Sequence, residues 1–96
     1  MNTIAINELY ATLMEQLTPE ARRMIDMKVV GESGLQIKID GENCITSVGV
    51  WPNGCCDIDF LYVASEKGEF KHFEFHATGA AVSPVLSEIM AAIERA

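Results

Sequence analysis

The sequence predicts an α+β domain: a four-stranded antiparallel meander with N-terminal and C-terminal helices packed on one face. Three observations predict it. Apolar residues recur with helical spacing near both ends of the chain, the middle alternates with a period of two, and Gly, Asn and Ser clusters punctuate that middle at short intervals. Helices that flank a run of strands, rather than alternate with them, give an antiparallel sheet with its helices to one side.

The first helix follows from Ile6, Leu9, Tyr10, Leu13, Met14 and Leu17, an i, i+3, i+4, i+7 stripe with Asn7, Glu8, Thr12, Glu15 and Gln16 on its other side. Asn2 or Thr3 is the expected cap. Thr18-Pro19-Glu20 restarts the helical signal, a capping residue followed by proline at the first helical position, and predicts a short second helix over residues 19–27. Gly31-Glu32-Ser33-Gly34 then breaks the chain. The last helix shows as the stripe Val82, Val85, Leu86, Ile89, Met90 and Ile93, starting at Ser83-Pro84 or earlier, near Thr78.

Four strands lie between. Residues 35–40 alternate strictly, and Gly41-Glu42-Asn43 turns the chain into a second strand over 44–51. Asn53-Gly54 suits the positive φ angles of a two-residue hairpin turn, so a third strand runs over 55–63. Ser65-Glu66-Lys67-Gly68 turns again into a fourth strand over 69–76.

These turns set the expected faces. A two-residue turn at Asn53-Gly54 pairs Pro52 with Cys55 and Val48 with Asp59. A four-residue turn at 65–68 pairs Asp59 with Glu74 and Asp57 with His76. One face then collects Ile58, Phe60, Tyr62, Phe73 and Phe75, joined by Leu35, Ile37, Ile39 and Ile45, with the small Ser47 and Gly49 among them. This is the expected core. The opposite face collects Thr46, Val48, Val50, Asp57, Asp59, Leu61, Val63, Phe70, His72, Glu74 and His76. Two good helical stripes cover one sheet face and leave this one open. Trp51 falls on the core side at the sheet's end beside a loop, where it either closes the core or anchors a partner.

Composition narrows the function. The 96 residues carry 14 acidic and 7 basic side chains, a net charge of −7, with 49% hydrophobic residues. That length predicts a single domain spanning 1–96. The charge argues against nucleic acid, whose phosphates require clustered Lys and Arg, and favours a basic protein partner. No apolar run approaches the ~18 residues of a membrane span. The start of the chain lacks the basic and apolar regions of a secretory signal, and three cysteines suit a reducing compartment, so a cytoplasmic location is expected. The pattern specifies no oligomeric state and assigns Cys44, Cys55 and Cys56 no role beyond structural or incidental thiols.

Chemical motifs are weak. Asp57, Asp59 and Glu74 share an open face that neither excludes water nor raises a carboxylate pKa, which disfavours paired-carboxylate catalysis. His72 and His76 share a face with Asp57 but stand four residues apart, roughly 13 Å along a strand, too far for one ion. Cys55 beside His76 lacks an oxyanion donor. Neither enzyme activity, cofactor nor metal is therefore expected. An apolar sheet face carrying uncompensated acids is instead a recognition surface for a basic partner. The expected contacts are Val48, Val50, Trp51, Asn53, Asp57, Asp59 and Glu74.

The stretch Val48-Gly49-Val50-Trp51-Pro52-Asn53-Gly54-Cys55-Cys56-Asp57-Ile58-Asp59-Phe60-Leu61-Tyr62-Val63 resembles the central hairpin of the TriTu family of bacterial immunity proteins. The resemblance extends to size, acidity and helices flanking a small sheet. It implies a cytoplasmic antidote that binds and blocks the toxic C-terminal domain of an Rhs-type effector delivered by a type VI secretion system. It further implies a toxin similar to an ADP-ribosyltransferase that modifies elongation factor Tu, with the antidote occluding the NAD-binding or target-binding cleft. The alternative from another class is a small acidic chaperone or adaptor that delivers an effector rather than silencing it.

Overall fold

The computed structural model describes residues 3–96. Helix α1 (Ile6–Gln16) starts behind Ala5 without a side-chain cap; of the two expected caps, Asn2 lies outside the described residues. Helix α2 (Pro19–Arg23) begins as its sequence signal requires, with Thr18 Oγ1 accepting from Ala21 N–H at 3.1 Å. It stops four residues before its expected end. Strands β1 (Met27–Gly31), β2 (Gly34–Asp40), β3 (Cys44–Val50), β4 (Cys55–Tyr62) and β5 (Lys67–Glu74) follow, and helix α3 (Thr78–Arg95) closes the chain.

The sheet has five strands, not four, in the meander order β1-β2-β3-β4-β5. The added strand is β1, paired with β2 through a tight turn at Glu32-Ser33 from Met27↔Lys38 to Gly31↔Gly34. It is an edge strand with three exposed residues followed by two half-buried ones, so its sequence shows no clean alternation. Asp26 fixes its entry: the Asp26 N–H donates to Lys38 O at 2.9 Å, and its carboxylate accepts from Asp40 N–H. These bonds to β2 take the chain out of helical conformation where apolar spacing alone would continue α2.

Helices α1 and α3 pack on one face of the sheet, α1 over β1 and β2 and α3 over β3. The core between the layers is one cluster: Leu9 and Leu13 from α1, Ala81, Val85, Ile89 and Ala92 from α3, and Ile37, Val48, Ile58 and Phe60 from the sheet, all at most 1% exposed. On α3 the buried stripe is centred on Ala81, Val85, Ile89 and Ala92, while Met90 is exposed. The small alanines let the helix sit close to the sheet, and the larger Val82, Leu86 and Ile93 flank the contact.

Strand β3 is turned over relative to the face expected from its turns. Thr46, Val48 and Val50 face the core, and Ile45, Ser47 and Gly49 face outward. The cause is loop length. Trp51 N–H donates to Cys55 O at 2.9 Å, which leaves the three residues 52–54 as the loop, and Gly54 N–H donates back to Trp51 O at 3.0 Å. Proline thus occupies the second position of a four-residue turn, where its fixed φ is favourable, and Gly54 takes φ +98° at the fourth. A two-residue turn would instead have placed Pro52, with no N–H to give, in the strand pair. Adding one residue to a hairpin loop exchanges the two faces of the strand. The β2–β3 loop is likewise one residue longer than expected, pairing Asp40 with Ile45, so β3 is inverted consistently against both neighbours.

Candidate functional site: the outer face of the sheet

The face away from the helices is built in rows across the strands. One row runs Gln36, Gly49, Asp57, His72; the next runs Lys38, Ser47, Asp59, Phe70; a third runs Asp40, Ile45, Leu61, Gly68. Trp51, Cys55 and Glu74 stand at the loop end. None of the described helices lies over this face, and its large apolar side chains are in solvent: Phe70 is 60% exposed, Leu61 46% and Trp51 42%. Val29 and Met27 extend the apolar surface along the edge strand β1.

Trp51 is on this outer face, which overturns the core-side placement. Its indole covers Gly49: a Cβ at Gly49 would meet Trp51 Cη2 at 2.8 Å. The ring also borders a shallow groove shared with Val29, Gln36 and Gly49. Thus a residue with no side chain seats a large aromatic in an exposed position, the amphipathic presentation that suits tryptophan to interfaces.

The acids occupy the expected face but meet different partners. The β4–β5 loop contains residues 63–66, with Glu66 at φ 58°, and the register lies four residues from the expected one. An even shift preserves faces and changes neighbours. Asp59 stands opposite Phe70 rather than Glu74, Glu74 opposite Cys55, and Asp57 opposite His72 rather than His76. The expected Asp59–Glu74 repulsion is therefore absent. His72 Nδ1 lies 2.6 Å from Asp57 Oδ1, a charge-assisted hydrogen bond when the imidazole is protonated. Asp59 and Glu74 are exposed.

Of the seven expected contact residues, the structure removes two from this surface. Val48 and Val50 are 0% exposed in the core, so no partner docking on the folded protein reaches them. Trp51, Asp57, Asp59 and Glu74 share the outer face, and Asn53 is exposed in the adjoining loop, where its Oδ1 accepts from Cys55 N–H at 3.0 Å. The sequence puts Leu61 and Phe70 on this face without singling them out as contacts, and it gives no signal for Met27 and Val29 because it gives none for their strand.

The three thiols divide by environment. Cys44 and Cys56 are in the core, while Cys55 is half-buried on the outer face. Burial, reinforced by Asp57 and Glu88, pushes the Cys56 thiol up to about 12, so it stays protonated and inert. On the helical face beneath β5, Lys71 Nζ bridges to Glu88 Oε1 at 3.1 Å and Arg95 Nη1 to Glu69 Oε2 at 3.3 Å. Arg95 also stacks over the Phe60 ring at 4.6 Å. These contacts fasten the last turns of α3 to the sheet, so the rows above rest on a braced support.

No helix among the described residues is long and apolar enough to cross a membrane. The family model described as immunity protein TriTu matches residues 9–92. No curated protein and no solved structure matches the chain.

Proposed function

Since the chain belongs to the TriTu immunity protein family, we propose that it binds and neutralises a cognate toxin domain through the outer face of its sheet. The observation that carries this is the set of exposed apolar side chains Trp51, Leu61 and Phe70, spread over different rows of one face among Asp57, Asp59 and Glu74. A solvent-facing apolar centre of this kind marks an interaction surface. The fixed sheet beneath it limits the ordering cost of binding, and the acids steer a basic partner and raise its association rate.

The partner is a basic toxin domain. Following the family resemblance, it is an ADP-ribosyltransferase domain at the C-terminus of an Rhs-type effector delivered by type VI secretion. Inhibition is by occlusion: the sheet covers the NAD-binding or target-binding cleft, and the protein acts in the cytoplasm as a binder without catalysing a reaction. Co-expression with the adjacent effector domain tests this directly. Growth is restored and the two proteins co-purify if the proposal holds; toxicity unrelieved, with no co-purification, overturns it. Asp59→Asn with Glu74→Gln should slow association most at low salt, because Coulombic steering is least screened there. An unchanged low-salt rate would remove the acids from the mechanism.

A further inference from the structure

The open end of the β4–β5 pair gathers Cys55 and His72, which the toxin-binding proposal does not use, beside Glu74, which it does. Cys55 and Glu74 face each other across the two strands, and His72 follows two residues along on the same face. The thiol sulfur, a ring nitrogen of His72 and a carboxylate oxygen of Glu74 all lie within 4.8 Å of one another. Ligands around a tetrahedral zinc ion, with bonds of about 2.0–2.3 Å, stand roughly 3.5 Å apart. Modest side-chain rotations on a fixed backbone therefore suffice to close the set.

His72 Nδ1 is engaged by Asp57 at 2.6 Å, which leaves Nε2 as the nitrogen able to ligate. A carboxylate holding the far nitrogen of a metal-binding imidazole fixes its tautomer and raises its basicity. Asp57 stands directly opposite His72, so the sheet register itself supplies this pairing. Of the three thiols, Cys55 is the accessible one.

We propose that Cys55, His72 and Glu74 form a binding site for a zinc-class divalent transition metal ion, with Asp57 orienting His72. The mixed sulfur, nitrogen and oxygen set selects such an ion over calcium or magnesium, which take oxygen donors. Three protein ligands on an exposed face leave the fourth position to water. On binding, Cys55 gives up its thiol proton to solvent and forms a thiolate–metal bond, with no change of oxidation state. The site shares Glu74 and Asp57 with the proposed toxin-binding face, but its test needs no toxin, so the two proposals fail separately.

The test is titration of the reduced, chelator-treated protein with cobalt(II), followed by zinc(II). The expected result is saturation at one equivalent, with a thiolate-to-cobalt charge-transfer band and the visible bands of tetrahedral cobalt, all bleached by zinc. Cys55→Ser abolishes the charge-transfer band, His72→Gln and Glu74→Gln weaken binding, and Asp57→Asn weakens it by about 10–100-fold. In the unmodified protein, zinc slows alkylation of Cys55, which provides a measurement independent of any variant's folding. The proposal is overturned if no charge-transfer band appears, if the band survives Cys55→Ser, or if zinc leaves the alkylation rate unchanged.

Discussion

At the scale of single residues, Gly54 and Cys56 are the positions where local chemistry most constrains the fold. Gly54 combines φ +98° with a site where any Cβ would overlap the Phe75 carbonyl oxygen, and Phe75 N–H donates to Gly54 O at 2.8 Å. Gly54→Ala is therefore expected to destabilise by on the order of 3 kcal/mol, because strain and overlap act together and the obstructing atom is backbone. Denaturant unfolding checks this, and a change within about 0.5 kcal/mol would contradict it.

Cys56 carries a pH signature. Its folded-state pKa of about 12 is above the ordinary 9.0. The unfolded chain loses this proton first, so the stabilising contribution is complete below pH 9.0 and lost as pH rises toward 12. Cys56→Ala should flatten the alkaline fall in unfolding free energy relative to the parent protein. Parallel curves for the two proteins would refute the assignment. The sequence marked Cys56 only as a thiol next to Cys55; its burial depends on strand parity, which composition does not encode.

At the scale of elements, what was legible depended on whether a local signal determined the outcome. The alternation of β2 and β4 and the Thr18-Pro19 start of α2 were readable because each involves neighbours in sequence. Strand β3 was readable as a strand but not as to face: Ile45-Thr46-Ser47-Val48-Gly49-Val50 has moderately apolar or small residues at both parities, so loop length decided. Pro52 was the available signal, since it fits the second position of a turn better than a strand pair. The β5 register shifted by four without changing any face, which is why the acidic surface survived while its cross-strand partners did not. Strand β1 was hidden because an exposed edge imposes little pattern.

The brace between β5 and α3 belongs to this scale too. Glu88 is only 12% exposed at its side chain, with one oxygen held by Lys71 and the other buried without a hydrogen-bond partner. Lys71→Met should cost roughly 1–3 kcal/mol by leaving that carboxylate unpaired. Adding Glu88→Leu should recover most of the loss, since removing both charges spares the desolvation penalty. A double variant no more stable than Lys71→Met would show that the ion pair is not what the position requires.

At the scale of the whole molecule, helices α1 and α3 packed on a five-stranded meander divide the protein into a covered face and an open one. Two of the acids that make the chain strongly negative, Asp59 and Glu74, are exposed on the open face beside Trp51 and Phe70. Net charge alone argues against nucleic acid; the sheet register places part of that charge on the open face, where we propose that a protein partner docks. Association with the toxin domain should consequently slow as ionic strength rises, while dissociation, governed by the apolar centre, changes little.

We propose that the toxin docks on this open face. The most direct test is the Kd for the cognate toxin domain of a Trp51→Ala, Phe70→Ala double variant, measured beside Met90→Ala on the helical side. The expected result is a loss of about 100-fold or more in the double variant, as for removal of two interface anchors, with Met90→Ala binding like the parent protein. Parent-like affinity in the folded double variant would rule out docking on this face.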